Sequence, residues 1–182
     1  MHDPFDACLA FTLAEEGGFL DHPSDARGAM NHGITLARLR RFARRPEWDR
    51  DDLRHVACGT VRALYRADFW NRARCDALPP GIDLMVFDHA VNAGPDRAGR
   101  VLQCAVGQRR DAIDGAIGPE TLTGVALSDT VTLLDSLTAA QRANYRQMAA
   151  FGLFGTSWLA RLDRRRAAAL DRMALAEPLS RR

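Results

Sequence analysis

Asp3-Pro4-Phe5-Asp6-Ala7-Cys8-Leu9-Ala10-Phe11-Thr12-Leu13-Ala14-Glu15-Glu16-Gly17-Gly18-Phe19 reads as one helix with a marked start, an apolar stripe and an abrupt stop. Asp3 is a good N-cap, and Pro4 suits the first helical position, where its missing N–H costs nothing. Phe5, Cys8, Leu9 and Leu13 recur at helical spacing. The turn angle carries Glu16 near the middle of that stripe and leaves Glu15 well to its side. Gly17-Gly18 must end the helix. One carboxyl group is thus delivered by a helix end to the lip of an apolar surface. Burial disfavours the charged form of a carboxyl, and a carboxyl that keeps its proton is what general acid catalysis needs. The competing reading is a helix-terminal glutamate that bends out into water.

The next stretch, Asp21-His22-Pro23-Ser24-Asp25-Ala26-Arg27-Gly28-Ala29-Met30-Asn31-His32-Gly33-Ile34-Thr35, is polar and punctuated by Gly and Pro. It predicts a loop or a small irregular hairpin. It holds two aspartates, two histidines and an asparagine in one excursion. A proton donor on a rigid helix, faced by a carboxylate on an adjoining loop, is the arrangement that glycoside hydrolysis uses.

Glu16-Gly17-Gly18-Phe19, His22-Pro23-Ser24-Asp25 and Asn31-His32-Gly33-Ile34-Thr35 together resemble the signature of the glycoside hydrolase 108 family, bacterial and phage N-acetylmuramidases often labelled secretion-activator proteins. Phage-type lysozymes give a weaker echo, with Glu16, Asp25 and Asn31 at their Glu, Asp and Thr offsets and Gly33-Ile34 following. The resemblance continues through Phe87-Asp88-His89-Ala90-Val91-Asn92-Ala93-Gly94-Pro95 and Asp114-Gly115-Ala116-Ile117-Gly118-Pro119-Glu120-Thr121. These look like the predicted peptidoglycan-binding half of that family. Phe154 to Leu162 loosely matches its F-x-x-G-W-x-x-R-like ending. This chain departs from the family pattern at Arg27, at Met30, where a Thr is usual, and at His32, where a Tyr is usual.

The resemblance implies a lysozyme-like muramidase that cleaves the β-1,4 bond between N-acetylmuramic acid and N-acetylglucosamine. Glu16 would be its catalytic acid. Asp25 is the best second carboxylate, and Asn31 and Thr35 would hold the loop or a water. His32 stands where the family has an aromatic platform. No cofactor and no metal are called for. The rival is a catalytically impaired peptidoglycan-binding or secretion-helper protein of the same fold, for which Met30 and His32 are the only support.

The rest of the chain predicts helices, giving a mainly α, lysozyme-like fold with a small β-hairpin in the region 19–35. Thr35 caps a helix carrying Leu36, Leu39 and Phe42. A helix near 50–58 offers Leu53 and Val56, and one from Thr60 carries Val61, Leu64, Tyr65 and Phe69. Pro79-Pro80-Gly81 is a hard break. Ile82 to Ala93 is apolar on nearly every face, so it should be the central buried helix. A helix over 96–106, a loop over 111–118, a short helix opened by Pro119 and long helices near 128–150 and 157–176 complete the chain. The expected division is a catalytic half over 1–80, a helical peptidoglycan-binding half over 81–176 packed on it, and a tail over 177–182.

Asp88 and Asn92 share a face of the central helix. They either line a glycan cleft or form a buried polar pair. Trp70 is a candidate sugar platform, whereas Tyr65, Phe69 and His89 read as core. Phe154 and Trp158 read as anchors of the last helix. Arg164-Arg165-Arg166 reads as a solvated face.

Composition fits a compact enzyme, with 182 residues, 47% hydrophobic and 26% charged. Every one of the 25 basic residues is arginine, and the net charge of +2 gives no argument for nucleic acid as a partner. The expected partner is a peptidoglycan glycan strand, met by a monomer. Met1-His2-Asp3-Pro4 lacks the charge and apolar run of a signal peptide, and no stretch reaches the length of a membrane span. Synthesis in the cytoplasm is therefore expected, with action in the periplasm or cell wall after release through a holin or another export route. Cys8, Cys58, Cys75 and Cys104 are scattered. They predict neither a disulfide framework nor a zinc site, and Cys8 and Cys104 read as core residues.

Overall fold

The computed structural model describes residues 3–21 and 28–176. Among the described residues the fold is helical with one small antiparallel hairpin. Helix α1 spans Pro4–Glu16. Asp3 caps it by accepting from the Phe5 N–H at 3.1 Å, and Gly17 ends it at φ 73°. Phe5, Cys8, Leu9 and Thr12 form its buried face, while Leu13 is only half-buried.

Strands β1 (Met30–Asn31) and β2 (Ile34–Thr35) pair in antiparallel register, Met30 with Thr35 and Asn31 with Ile34. Leu20 extends the ladder by exchanging two 2.8 Å backbone bonds with Met30. The connecting turn places His32 at φ 49° and Gly33 at φ 72°. Positive φ at both central residues is the type I′ geometry that matches strand twist. The strand pairing falls within the region expected for a hairpin.

Thr35 then caps α2 (Leu36–Ala43) by accepting from the Arg38 N–H at 3.3 Å. The short α3 (Arg50–Arg54) is closed by a capping box between Asp49 and Asp52, and it stops sooner than the sequence predicts. Helix α4 (Cys58–Tyr65) runs into a π-helical turn over Arg66–Trp70, and this wider turn lets Phe69 and Trp70 both face inward.

The central helix α5 (Ile82–Ala93) is buried at every position from Ile82 to Ala90. It packs against α1, against α6 (Pro95–Ala105), and against the long α8 (Thr130–Arg146) and α9 (Phe151–Ala176). Helix α7 (Pro119–Leu127) opens at Pro119 as expected. Helix α9 begins at Phe151, earlier than the sequence predicts. Cys8 and Cys75 are buried free thiols, but Cys104 is exposed, contrary to the expectation of a core role. It follows Val101, Leu102 and Gln103, which take the buried positions of that turn.

Around α5 the side chains interlock. Phe5, Trp70 and Phe87 form a triangle of edge-to-face rings with centroids 5.3, 5.4 and 5.7 Å apart. Each such contact adds about 0.5–1.5 kcal/mol beyond the apolar area it buries. One buried cluster runs continuously from Phe5 to Ala169 and crosses the Pro79-Pro80-Gly81 break without interruption. No helix among the described residues is long and apolar enough to cross a membrane.

Candidate active site

Glu16 is the last residue of α1, with a side chain 18% exposed. Its Oε1 lies 2.7 Å from Nη1 of Arg161, which comes from the middle of α9. Arg161 is itself gripped from below. Its Nε and Nη2 donate to the two carboxylate oxygens of Asp88, at 3.0 and 2.6 Å. This two-pronged contact fixes the plane of the guanidinium. The remaining nitrogen is thereby aimed at Glu16.

Asp88 is completely buried and serves three elements at once. Arg165, one turn after Arg161, donates its Nε to Asp88 at 2.6 Å. Thr12, one turn before Glu16 on α1, donates its hydroxyl at 2.9 Å. Arg165 also donates to Gln141 at 2.7 Å and to the Tyr145 hydroxyl at 3.2 Å, and that hydroxyl lies 3.2 Å from His89 Nδ1. Burial alone would raise the Asp88 pKa, but Arg165 and Arg161 outweigh it and hold the carboxyl well below the usual range. Burial likewise works against the Arg161 cation, and Asp88 and Glu16 more than restore it. The group therefore contains two carboxylates and two guanidiniums in mutual compensation. That is the condition under which buried charge is tolerated.

The hairpin closes over Glu16 from the other side. A Cβ at Gly33 would run into Glu16 Oε2 and lie 2.9 Å from its Cδ and 3.0 Å from the Tyr65 hydroxyl. Glycine is required here both by this contact and by the positive φ. Tyr65 donates its hydroxyl to the His32 carbonyl at 2.6 Å, which pins the turn. Burial, and after it the charge on Glu16, push the Tyr65 pKa up, so the phenol stays a neutral donor.

Asp25, expected as the second carboxylate, lies outside the described residues, as does His22 of the quoted signature. Asp21 is described, and its carboxylate is 3.3 Å from Arg50. Asn31 is buried, and its amide donates to the Leu53 and Arg54 carbonyls at 3.0 and 3.1 Å. It ties the hairpin to α3. His32 is half-buried at the turn, and Thr35 is a helix cap. Asn92 is half-buried one turn beyond Asp88.

Three sequence expectations need correction. Trp70 is 0% exposed and donates its indole N–H to Asp76 at 2.8 Å, so it is a core ring and cannot meet a sugar. Asp88 does not open onto a cleft, because its oxygens are taken up by Thr12, Arg161 and Arg165. Arg165 is fully buried and does not belong to a solvated face. Glu15, to the side of the apolar stripe as expected, is held in an ion pair. Its side chain is 14% exposed and bridges Arg164 with two 2.7 Å bonds.

Arg161 and Thr12 escaped the sequence reading as site residues. A usable signal existed for the arginines: Arg161 and Arg165 are four apart on a long helix, and Asp88 stands in the buried, apolar run of α5. A buried carboxylate demands cationic partners.

Against known protein families, residues 9–94 match the model described as glycosyl hydrolase 108. Among solved structures, the chain is similar to that described as the structure of Brucella abortus SagA, with a TM-score of 0.81 and 33% identity over 93% of this chain and 95% of that one. No curated protein matches it.

Proposed function

Because the chain belongs to the glycosyl hydrolase 108 family, we propose that it is a lysozyme-like N-acetylmuramidase in which Glu16 is the general acid. The supporting observation is the setting of Glu16. A helix end presents it, a guanidinium anchored independently on Asp88 orients it, and a glycine turn lies against it. Fixed geometry of this kind is what lowers a barrier.

In the proposed reaction the glycan binds with its β-1,4 linkage beside Glu16. Arg161 engages Oε1, and the proton is carried on Oε2. That proton passes to the bridging oxygen as the bond from this oxygen to the anomeric carbon of N-acetylmuramic acid breaks. The electron pair leaves with the oxygen, and positive charge develops at the sugar carbon. Asp25 is the group proposed to stabilise that charge or to take the proton of the attacking water. Arg161 stays on Asp88 whether or not Glu16 carries its proton, so the acid is held in place through the cycle. The substrate places the proposed action in the periplasm or cell wall.

The test uses purified peptidoglycan. The wild-type chain should clear it, and the reduced products should end in muramic acid residues. Glu16→Gln keeps the shape and removes the proton, so lysis should fall by about 10²–10⁴-fold with the fold intact. Undiminished lysis by the Gln variant would overturn the assignment, and products ending in N-acetylglucosamine would overturn the bond.

A further inference from the structure

Phe154, Trp158, Arg161 and Arg165 follow one another on α9 at intervals of four, three and four, so they project from one stripe of the helix. The stripe grades from buried to open. Arg165 is inaccessible, Arg161 is 8% exposed, Trp158 is half-buried and Phe154 is 52% exposed. The buried end grips Asp88 and the middle touches Glu16. The open end is a short stack of rings. Trp158 lies on Tyr145 at 5.6 Å and on Phe154 at 5.9 Å, both tilted by 33°. The core therefore continues outward as an aromatic ledge that ends in solvent.

At 1.5 Å rise per residue, Trp158 stands about 4.5 Å and Phe154 about 10.5 Å along the helix from Arg161. A pyranose in a β-1,4-linked strand advances by about the pitch of a helical turn. The ledge is therefore in step with successive sugars counted away from Glu16. Pyranoses offer an apolar C–H face that packs on aromatic rings, and a half-exposed ring already held by a second ring loses little freedom on binding.

We propose that Phe154 and Trp158 form a sugar-stacking subsite that holds the glycan strand beyond the scissile linkage. This rests on the reading of Glu16 as the acid. Trp158 supports the nearer sugar and Phe154 the farther one. Leu153 is more exposed, at 84%, but projects from a different side of the helix and takes no part.

The experiment separates binding from turnover by using the Glu16→Gln chain as the parent. Its affinity for soluble, uncrosslinked peptidoglycan glycan strands is measured by calorimetry. Adding Phe154→Ala should raise Kd about three- to tenfold, the range expected for one aromatic contact. Phe154→Trp should keep the parent affinity, and Leu153→Ala should not change it. Circular dichroism checks that each variant folds. Equal affinities for the parent and the Phe154→Ala variant would overturn the subsite, as would a parent that binds no strand. A Phe154→Ala variant that loses association with phospholipid vesicles but keeps strand affinity would also overturn it, by assigning the ledge to a lipid surface. Failure of the acid assignment shows separately, as lysis that survives Glu16→Gln in the otherwise native chain.

Discussion

Arg161 reaches Glu16 at 2.7 Å from the far end of the chain, and it does so while both of its other guanidinium nitrogens are bound to Asp88. The carboxylate below therefore governs the carboxyl above, although the two belong to different helices and do not touch. Three elements share this arrangement: α1 brings Glu16 and Thr12, α5 brings Asp88, and α9 brings both arginines.

Replacing Asp88 by Asn should damage both stability and catalysis. Two buried guanidiniums lose their counter-charge, and breaking a buried pair in this way costs about 3–5 kcal/mol. Urea unfolding at neutral pH measures the first effect. A variant as stable as the parent would show that water or another carboxylate neutralises the arginines.

Arg161→Lys should leave a cation near Glu16 but remove the fork that reaches both carboxylates at once. Glu16 should then wander, and kcat should fall by up to about 10²-fold with a much smaller change in KM. A variant that loses KM and keeps kcat would recast Arg161 as a glycan contact.

Gly33→Ala tests the hairpin's contact with Glu16. The left-handed backbone alone costs a non-glycine residue roughly 1–2 kcal/mol. Gly107→Ala has a comparable φ of +75° with nothing within 4 Å, so it supplies the strain without the collision. Gly33→Ala should lose at least as much stability by thermal melt as Gly107→Ala, and only Gly33→Ala should lose most of its lysis of peptidoglycan. Equal lysis by the two would mean that the turn does not shape the acid.

His89 gives a pH prediction. Burial, and after it Arg165, hold the pKa of its imidazole down to about 3, so it remains neutral in the folded protein. The unfolded chain takes up a proton below about pH 6.5, and the folded one does not until far lower. The unfolded state binds more protons in that window, so stability falls as pH falls. The loss should be about 2 kcal/mol between pH 7 and 5 from this residue alone. Urea titrations of the parent and His89→Gln at both pH values give the difference directly. Parallel losses in the two proteins would show that the ring is already protonated in the fold. Asp88 adds a loss of the same sign in a lower window, because its depressed pKa withdraws stability only as pH drops below the ordinary carboxylate range.

Asp25→Asn and Asp21→Asn should differ. Asp21 already faces Arg50 at 3.3 Å, so its Asn variant should change lysis little. Asp25→Asn should lower kcat far more than strand affinity if it supports the transition state. A worse defect in the Asp21 variant would exchange their roles.

The sequence made the scaffold legible wherever a local rule acted alone. Asp3 and Pro4 start α1, Gly17 ends it, Thr35 caps α2, and the run Ile82 to Ala90 is buried throughout. The inward side of Glu16 was visible for the same reason, since helix phase fixes it. What escaped depends on contacts between distant segments. Nothing local says that Arg165 is buried while Arg164 and Arg166 pair at the surface with Glu15 and Asp135. That choice is made by Asp88 on a helix far away in sequence. Trp70 misled because an aromatic residue at a helix end suits a sugar platform and a core equally well, and the π-helical turn that draws it inward leaves no trace in apolar spacing.

The order in which the chain leaves the ribosome gives the Asp88 contacts a further meaning. Glu16 is made early, Asp88 midway, and the arginines that complete the cluster near the end. A nascent or truncated chain that has not yet docked α9 carries Glu16 without its brace, and the uncompensated Asp88 opposes closing the core around it. On the proposed reading of Glu16, the braced geometry thus appears only once α9 has docked against α1 and α5.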